Sequence, residues 1–345
     1  MIKRFKGAPA LVTGATGFVG GRLWRVLQAQ GFRVRVLTRR DTGLEELVTA
    51  GVEVAHGDLR DHAAVERATR DQRLVFHCAG RVSDWGPRTA FIEANVNGTA
   101  NVIAACVENK VERLVHLSSL TVLGLPRHAR EVDETTPYAD PPIGDFYTQS
   151  KIAGEKLVRA ANGEHGLTTT VIRPGAIWGP GDVIIVPRIL RLMRRGLMPI
   201  VGSGNNVLGL SHVDNLVVGM ILAAETDAAA GQVYHITDGE IVVARDALEE
   251  VARAYGLAAP RLRVPFWAVH SFAATVEGLA KAFGRTTPPP ITRYGVRFVA
   301  CDCRYDIRKA RRELGYEPRV SFRKGIAELA RGSEARGNGV DATHG

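Results

Sequence analysis

Through the first half of the chain, short apolar runs alternate with longer stretches in which apolar residues recur at helical spacing. Residues 10–12 form a continuous apolar run that predicts a buried strand, and from Phe18 the apolar positions recur at helical spacing through Leu23, Val26 and Leu27. Residues 33–37 alternate as a second strand. Residues 52–55 predict a third, followed by a helix that starts near Asp61, a suitable N-cap. Leu74–His77 predicts a fourth strand, and an amphipathic helix over 89–108 presents Ile92, Val96, Val102, Ile103 and Cys106 or Val107 on one face. Arg113–Leu117 predicts a fifth strand, 146–162 a helix and 168–172 a sixth strand, while 121–145, rich in Pro, Asp and Thr, reads as loop. Such strict alternation predicts an α/β fold built on a doubly wound parallel sheet.

Beyond the glycines at 179 and 181 the texture changes to short strands and helices near 184–195 and 213–224. The expected division is a sheet domain over 8–175 and a smaller C-terminal lobe over 176–331, with late sheet elements interleaved. Residues 332–345, rich in Gly, Ala and charge, are expected to be a disordered tail. No internal repeat is present.

Composition narrows the class without adding to the fold. Hydrophobic residues make up 45% and charged residues 23% of the 345, which excludes a disordered or fibrous protein. The net charge of +9 shows no like-charge block and no basic stripe interleaved with aromatics, so nucleic-acid binding is not expected. Cys78, Cys106, Cys301 and Cys303 match neither a zinc pattern nor a disulfide framework, so reduced thiols and no metal are expected. The basic N-terminal residues run straight into the first strand without a cleavable small-residue site, which predicts a cytoplasmic protein. Residues 265–283 are the longest late apolar stretch, yet His270, Glu277 and Lys281 interrupt them too often for a membrane span. That stretch could lie at a bilayer surface, although no basic amphipathic pattern supports it.

Two constellations carry chemistry. Gly14-x-x-Gly17-x-x-Gly20 stands between the first strand and the first helix. There Gly14 permits a tight turn, Gly17 lets backbone N–H groups approach a pyrophosphate, and Gly20 lets the helix pack closely on the sheet. The phosphates would sit at a helix N-terminus, where unpaired N–H groups and the helix dipole favour negative charge. This is a Rossmann-type dinucleotide site. The second strand ends in Thr38-Arg39-Arg40 with no acid, and arginines there suit the 2′-phosphate of NADP(H), so NADP(H) is expected ahead of NAD(H).

The second constellation is Tyr147-x-x-x-Lys151 on the 146–162 helix, whose spacing puts both side chains on one face. A free tyrosine is a poor acid or base at neutral pH, and a neighbouring ammonium is expected to bring its pKa down. Tyr147 would then exchange a proton with a carbonyl oxygen, and Ser119, at the C-terminal end of the fifth strand, would hold that same oxygen.

With these stand His77-Cys78-Ala79-Gly80, Gly57-Asp58-Leu59, Asn95-Val96-Asn97-Gly98-Thr99, Arg173-Pro174 and Trp178-Gly179-Pro180-Gly181-Asp182. Over nearly all of residues 8–330 the chain resembles the extended short-chain dehydrogenase/reductases. Val82-Ser83-Asp84-Trp85-Gly86, the 265–283 stretch, Ile291-Thr292-Arg293-Tyr294 and 305–310 look most like the 3β-hydroxysteroid dehydrogenase branch. The resemblance implies that Ser119, Tyr147 and Lys151 are the catalytic trio, that Asp58 contacts the adenine, and that Ala79 and Gly80 line the nicotinamide side. Thr16, Phe18, Val19, Leu59, Asn95 and Pro174 join the cofactor set implied by these motifs. It also implies a homodimer built on the helices around 95–108 and 147–159.

The expected activity is hydride transfer between nicotinamide and the ketone or secondary alcohol of an apolar, sterol-like or 3-oxo acyl small molecule. Phe266, Trp267, Val269 and Phe272 are expected to cover the cleft. The acid pair that dehydratases of the superfamily carry is Leu120-Thr121 here, which argues against dehydration. Two alternatives stand beside this reading: a nucleotide-sugar 4-epimerase with tightly held NAD, and a non-catalytic dinucleotide sensor, which could dispense with the Tyr-Lys pair.

Overall fold

The computed structural model describes residues 4–126, 128 and 130–337. In chain order the elements that build the site are β1 (Pro9–Thr13), α1 (Phe18–Ala29), β2 (Arg33–Thr38), β3 (Glu53–His56), β4 (Leu74–His77), α2 (Gly98–Glu108), β5 (Arg113–Leu117), α3 (Phe146–Ala160) and β6 (Thr168–Pro174). They continue through α4 (Ile185–Arg194), α5 (Val213–Glu225), β7 (Val233–Ile236), α6 (Phe266–Ala282), α7 (Arg293–Val299) and α8 (Phe322–Gly337).

The central sheet has seven strands in the order β7-β6-β5-β4-β1-β2-β3, every pairing parallel. The order reverses between β1 and β4, so the loops leaving those two strands diverge and open a crevice at their C-terminal ends. Both faces are covered. Ala10 and Val12 of β1 point to the side filled by Leu23, Trp24 and Leu27 of α1 and by Leu216 and Met220 of α5. Leu11 points to the other, with Val102 and Cys106 of α2 and Val158 of α3. This alternation of apolar faces along each strand explains why the runs read as fully buried strands.

The 89–108 helix is real but interrupted. Arg88–Ile92 is α-helical, Glu93–Asn97 makes one π turn, and α2 follows directly. The 121–145 stretch is not all loop, because Arg130–Val132 pairs in parallel with Cys303–Tyr305. The strand partner lies far downstream, where no local pattern could announce it. α8 runs to Gly337, so 332–337, expected to be disordered, are helical; the remainder of that expected tail, 338–345, lies outside the described residues. Among the described residues, no helix is long and apolar enough to cross a membrane.

Beneath the C-terminal end of the sheet lies a buried ion pair. Glu155 of α3 accepts from Arg173 of β6, Nη2 at 2.6 Å and Nε at 3.1 Å, and from the Tyr138 hydroxyl at 2.9 Å. Ser118 also donates to it. Both charged side chains are essentially inaccessible. The pair is therefore fully desolvated; neighbouring donors satisfy the Glu155 carboxylate, while Nη1 of Arg173 is buried without a hydrogen-bond partner.

Candidate active site

The glycine turn is set by close approach. Gly14 has φ +72°, and a Cβ there would lie 2.7 Å from the backbone nitrogen of Ala79, so the turn runs against the end of β4. At Gly20 a Cβ would lie 2.3 Å from the Gly14 carbonyl oxygen, because α1 packs on its own turn. Gly17 is the N-cap residue and is less crowded, its nearest neighbour at 3.2 Å. No side chain caps α1 and no acid stands in its first turn. Its open N–H groups and the space that Cβ atoms would fill fit the pyrophosphate of a dinucleotide. Thr16 is exposed at this mouth, Val19 is buried behind it, and the Phe18 ring lies 3.4 Å from where a Cβ on Gly181 would stand.

At the adenosine end, Thr38 is buried and its hydroxyl accepts from the Arg40 N–H at 3.1 Å. Arg39 and Arg40 are exposed. Asp58 does not stand alone: Arg60 grips it through Nε at 3.0 Å and Nη2 at 2.9 Å, and Arg39 stands 3.5 Å away. The Arg60 hydrogen bond is the main reason the Asp58 carboxyl is pulled down to about 2. Arg60 also reaches Glu93 at 3.7 Å, so the two guanidinium groups are shared between two carboxylates. The Leu59 carbonyl accepts from Asn101 Nδ2 at 2.7 Å, tying this loop to α2.

At the other end, Ser119 follows β5 and caps a 3₁₀ turn over Leu120–Leu123, while Tyr147 and Lys151 lie one turn apart on α3. Asp145 caps α3 by accepting from the Thr148 N–H at 3.1 Å, which fixes where the helix, and so Tyr147, begins. The Ser119 oxygen accepts from the Thr121 N–H at 3.2 Å and the Thr121 hydroxyl at 3.0 Å. Both its lone pairs are then engaged, so the Ser119 O–H is left to donate.

The expected effect of Lys151 on Tyr147 is not what the structure shows. Burial pushes the Tyr147 phenol up to about 12, with the Ser119 hydrogen bond opposing and the Asp145 charge adding to the rise. Lys151 turns the other way and donates to the Leu117 carbonyl at 2.7 Å. Burial in turn pulls its own ammonium down to about 8. Spacing along a helix predicted proximity but not desolvation, and desolvation dominates.

Gly80 lies against both Lys151 and Asn95; a Cβ there would be 3.8 Å from Nζ and 2.9 Å from Asn95 Oδ1. Asn95, in the π turn, has its side chain occupied: Oδ1 accepts from Arg81 N–H at 2.7 Å, and Nδ2 donates to the Arg81 carbonyl at 3.1 Å and Ser150 at 2.9 Å. It clamps the β4 loop to α3 beneath the site. Ala79 is held to β1 by its N–H, which donates to Thr13 at 3.2 Å. The structure thus brings Ala79, Gly80, Asn95, Ser119, Tyr147 and Lys151 together and leaves Arg39, Arg40, Asp58 and Leu59 as a separate cluster past β2 and β3. Pro174 lines the pocket beside Ser119.

That pocket is apolar for most of its wall, with Leu120, Leu125, Leu208, Leu210, Phe298 and Tyr305 around Ser119 and Thr121. The aromatics expected to cover it do not. α6 buries only Ala273, Glu277 and Ala280, so its inward stripe is small and Trp267 and Phe272 fall outside. The cover comes from α7 and the chain after it. Tyr294 meets Tyr147 edge to face with centroids 6.2 Å apart. Neither Thr121 nor Tyr294 was assignable to the site from spacing; the only signal was Tyr294's place in a motif shared with the resembling branch. The other motif segments serve packing. Trp85 donates to the Arg285 carbonyl at 3.1 Å and Asp84 accepts from Thr292, which docks the β4 loop on the lobe. Trp178 is buried and donates to Asp238 at 2.9 Å.

The chain is 35% identical to a 2-alkyl-3-oxoalkanoate reductase of Stenotrophomonas maltophilia, across 94% of this chain and 99% of that one. It is 33% identical to a 4-hydroxy-2-methyl-3-oxo-4-farnesyl-3,4-dihydroquinoline-1-oxide ketoreductase of Stigmatella aurantiaca, across 94% and 96%. Among solved structures, the dTDP-glucose 4,6-dehydratase DesIV of Streptomyces venezuelae, with NAD bound, is 26% identical with a TM-score of 0.74, covering 95% of this chain and 98% of that one. Residues 11–265 match the profile of the 3-beta hydroxysteroid dehydrogenase/isomerase family. This match over most of its length, together with the likeness to the two reductases, makes the chain a dehydrogenase/reductase that belongs to the 3-beta hydroxysteroid dehydrogenase/isomerase family.

Proposed function

We propose that this chain is an NADP(H)-preferring ketoreductase acting on the ketone or secondary alcohol of an apolar 3-oxo acyl or sterol-like substrate. The observation that carries the reading is Ser119 at the wall of an apolar pocket, with Tyr147 and Lys151 one turn apart on the neighbouring helix α3. The glycine turn of Gly14, Gly17 and Gly20 and the N-terminus of α1 would hold the pyrophosphate of a nicotinamide dinucleotide, which would supply or accept the hydride. Arg39 and Arg40, exposed at the end of β2, meet a 2′-phosphate.

Tyr147, held protonated by burial, donates its proton to the substrate carbonyl oxygen, and in the reverse direction takes it from the alcohol. Ser119, with only its O–H left to give, hydrogen-bonds the same oxygen and stabilises the charge that develops there. Lys151 orients the nicotinamide ribose and stands ready to stabilise the phenolate left behind. Residues 8–175 serve as the dinucleotide-binding domain and 176–331 as the substrate lobe. Two copies associate through the outward faces of α2 and α3, where Ala100, Ile103, Val107 and Leu157 keep accessible surface.

Purified protein offered a 2-alkyl-3-oxo acid, a 3-oxosteroid and UDP-glucose, each with NADPH or NADH, tests this. The expected result is ketone reduction with NADPH, with Arg39→Ala weakening NADPH binding about tenfold and leaving NADH unaffected. Turnover of the nucleotide sugar alone, with NAD carried through purification, overturns the reading in favour of an epimerase.

A further inference from the structure

The helix α6 is apolar yet largely uncovered. Its buried stripe, Ala273, Glu277 and Ala280, seats it on α7, where Glu277 accepts from the Arg293 N–H at 2.6 Å and its Nε at 2.7 Å. The large side chains face away: Trp267 is 72% exposed, Phe272 62%, Leu279 55% and Phe283 84%. Phe272, Leu279 and Phe283 follow one another at helical spacing and form a single outer stripe. Neighbouring elements extend it. Ile200–Val201 pairs with Arg263–Val264, which brings exposed Leu197 and Leu262 to the start of α6, and Arg188 of α4 donates to the Pro290 carbonyl beyond its end.

Charge is segregated onto the same elements. Residues 183–201 and 257–300 carry ten Lys and Arg against a single acid, Glu277, while the rest of the chain carries 35 of each sign. The whole net charge of +9 therefore resides in these two segments. Glu277 is spent on Arg293. Arg188, Arg191, Arg194, Arg195, Arg261 and Arg263 are exposed, and none is ion-paired among the described residues. The basic amphipathic pattern that no single stretch of sequence displays is assembled from two segments that the fold sets side by side.

We propose that this face docks the enzyme on an anionic lipid bilayer, with the aromatic and aliphatic side chains entering the interface and the arginines meeting lipid phosphates. A second copy of the chain fits the face poorly, because a two-fold interface would set each strongly positive patch against its own image. α7, behind α6, supplies Phe298 to the substrate pocket, so the docked face lies one helix from the site. For an enzyme of apolar ketones, a purpose that rests on the function proposed above, docking there shortens the path from bilayer to Tyr147.

The test is flotation of the full chain with vesicles of phosphatidylcholine alone, or of phosphatidylcholine with roughly one-third phosphatidylglycerol. Partition onto the anionic vesicles is expected to exceed that onto neutral ones by about tenfold and to weaken with salt. The double variants Phe272→Ser/Phe283→Ser and Arg191→Glu/Arg194→Glu should each lower it about tenfold, with melting temperature and reduction of a water-soluble ketone unchanged. Wild-type protein that stays in the aqueous fraction, or variants that float as well as wild type, overturn the proposal. So does a Phe272→Ser/Phe283→Ser variant that changes oligomeric state in light scattering instead of losing vesicles, since the face is then a subunit contact. Vesicle binding without turnover of any ketone leaves docking intact and removes the ketoreductase reading; turnover without vesicle binding does the converse.

Discussion

The two ends of the crevice are held by different means. The dinucleotide end is shaped by backbone: Gly14 against Ala79, Gly20 against Gly14, and an uncapped helix N-terminus, all within ten contiguous residues and one neighbouring strand end. The substrate end is shaped by side chains from distant places, with Thr121 hydrogen-bonded to Ser119 and Tyr294 in ring contact with Tyr147. A backbone site fails when an atom is added. A side-chain site fails when one is taken away.

The largest expected effect comes from removing one oxygen at the substrate end. Tyr147→Phe should lower kcat by roughly 10²–10⁴-fold, the usual contribution of a positioned proton donor, while fluorescence titration finds NADPH binding within about twofold of wild type. Unchanged turnover would end the general-acid role and point to the dinucleotide sensor. Adding one carbon at the other end should do the opposite. Gly20→Ala, forced 2.3 Å from the Gly14 carbonyl, is expected to cost about 1–3 kcal/mol in stability and to weaken the dinucleotide about tenfold or more. Gly17→Ala, with its nearest neighbour at 3.2 Å, should cost distinctly less in a parallel thermal melt. Equal losses at both glycines would mean that close packing does not set this end.

The smallest effect concerns Lys151, which joins the two ends. Its folded pKa of about 8 lies below the ordinary 10.5, because burial disfavours the ammonium. Between those values the unfolded chain holds a proton that the folded chain has released. The stabilising contribution is thus complete above about 10.5 and is lost as pH falls through about 8. For activity, the charged form is the useful one, so kcat/KM for ketone reduction should decline as pH rises past about 8. Lys151→Arg, which keeps its charge, should carry that decline to higher pH; a profile that does not move assigns the ionisation to another group.

What local sequence could reveal follows the same division. The strands, the glycine turn and the Tyr-x-x-x-Lys pair are readable because each is set within a few residues by periodicity or spacing. Asn95 could be flagged but not assigned its clamp, since that depends on Arg81 and on Ser150 of another helix. The aromatics of α6 misled for a physical reason: an apolar helix ordinarily turns its largest side chains inward, whereas this one seats on α7 through small residues and Glu277. Tyr147's raised pKa was equally out of reach, because burial is a property of everything packed around the ring.

The buried Glu155–Arg173 pair acts as an alignment pin. Tyr147, Lys151 and Glu155 follow one another at intervals of four along α3, so the face that presents Tyr147 is the face that Arg173 grips. Turning or sliding the helix would strand a charge in the interior, at a cost of about 3–5 kcal/mol. Pocket walls contributed by Leu208, Leu210 and Phe298 can therefore be rewritten to accept new substrates while the donor keeps its bearing, which makes this scaffold suited to having its specificity evolved separately from its chemistry.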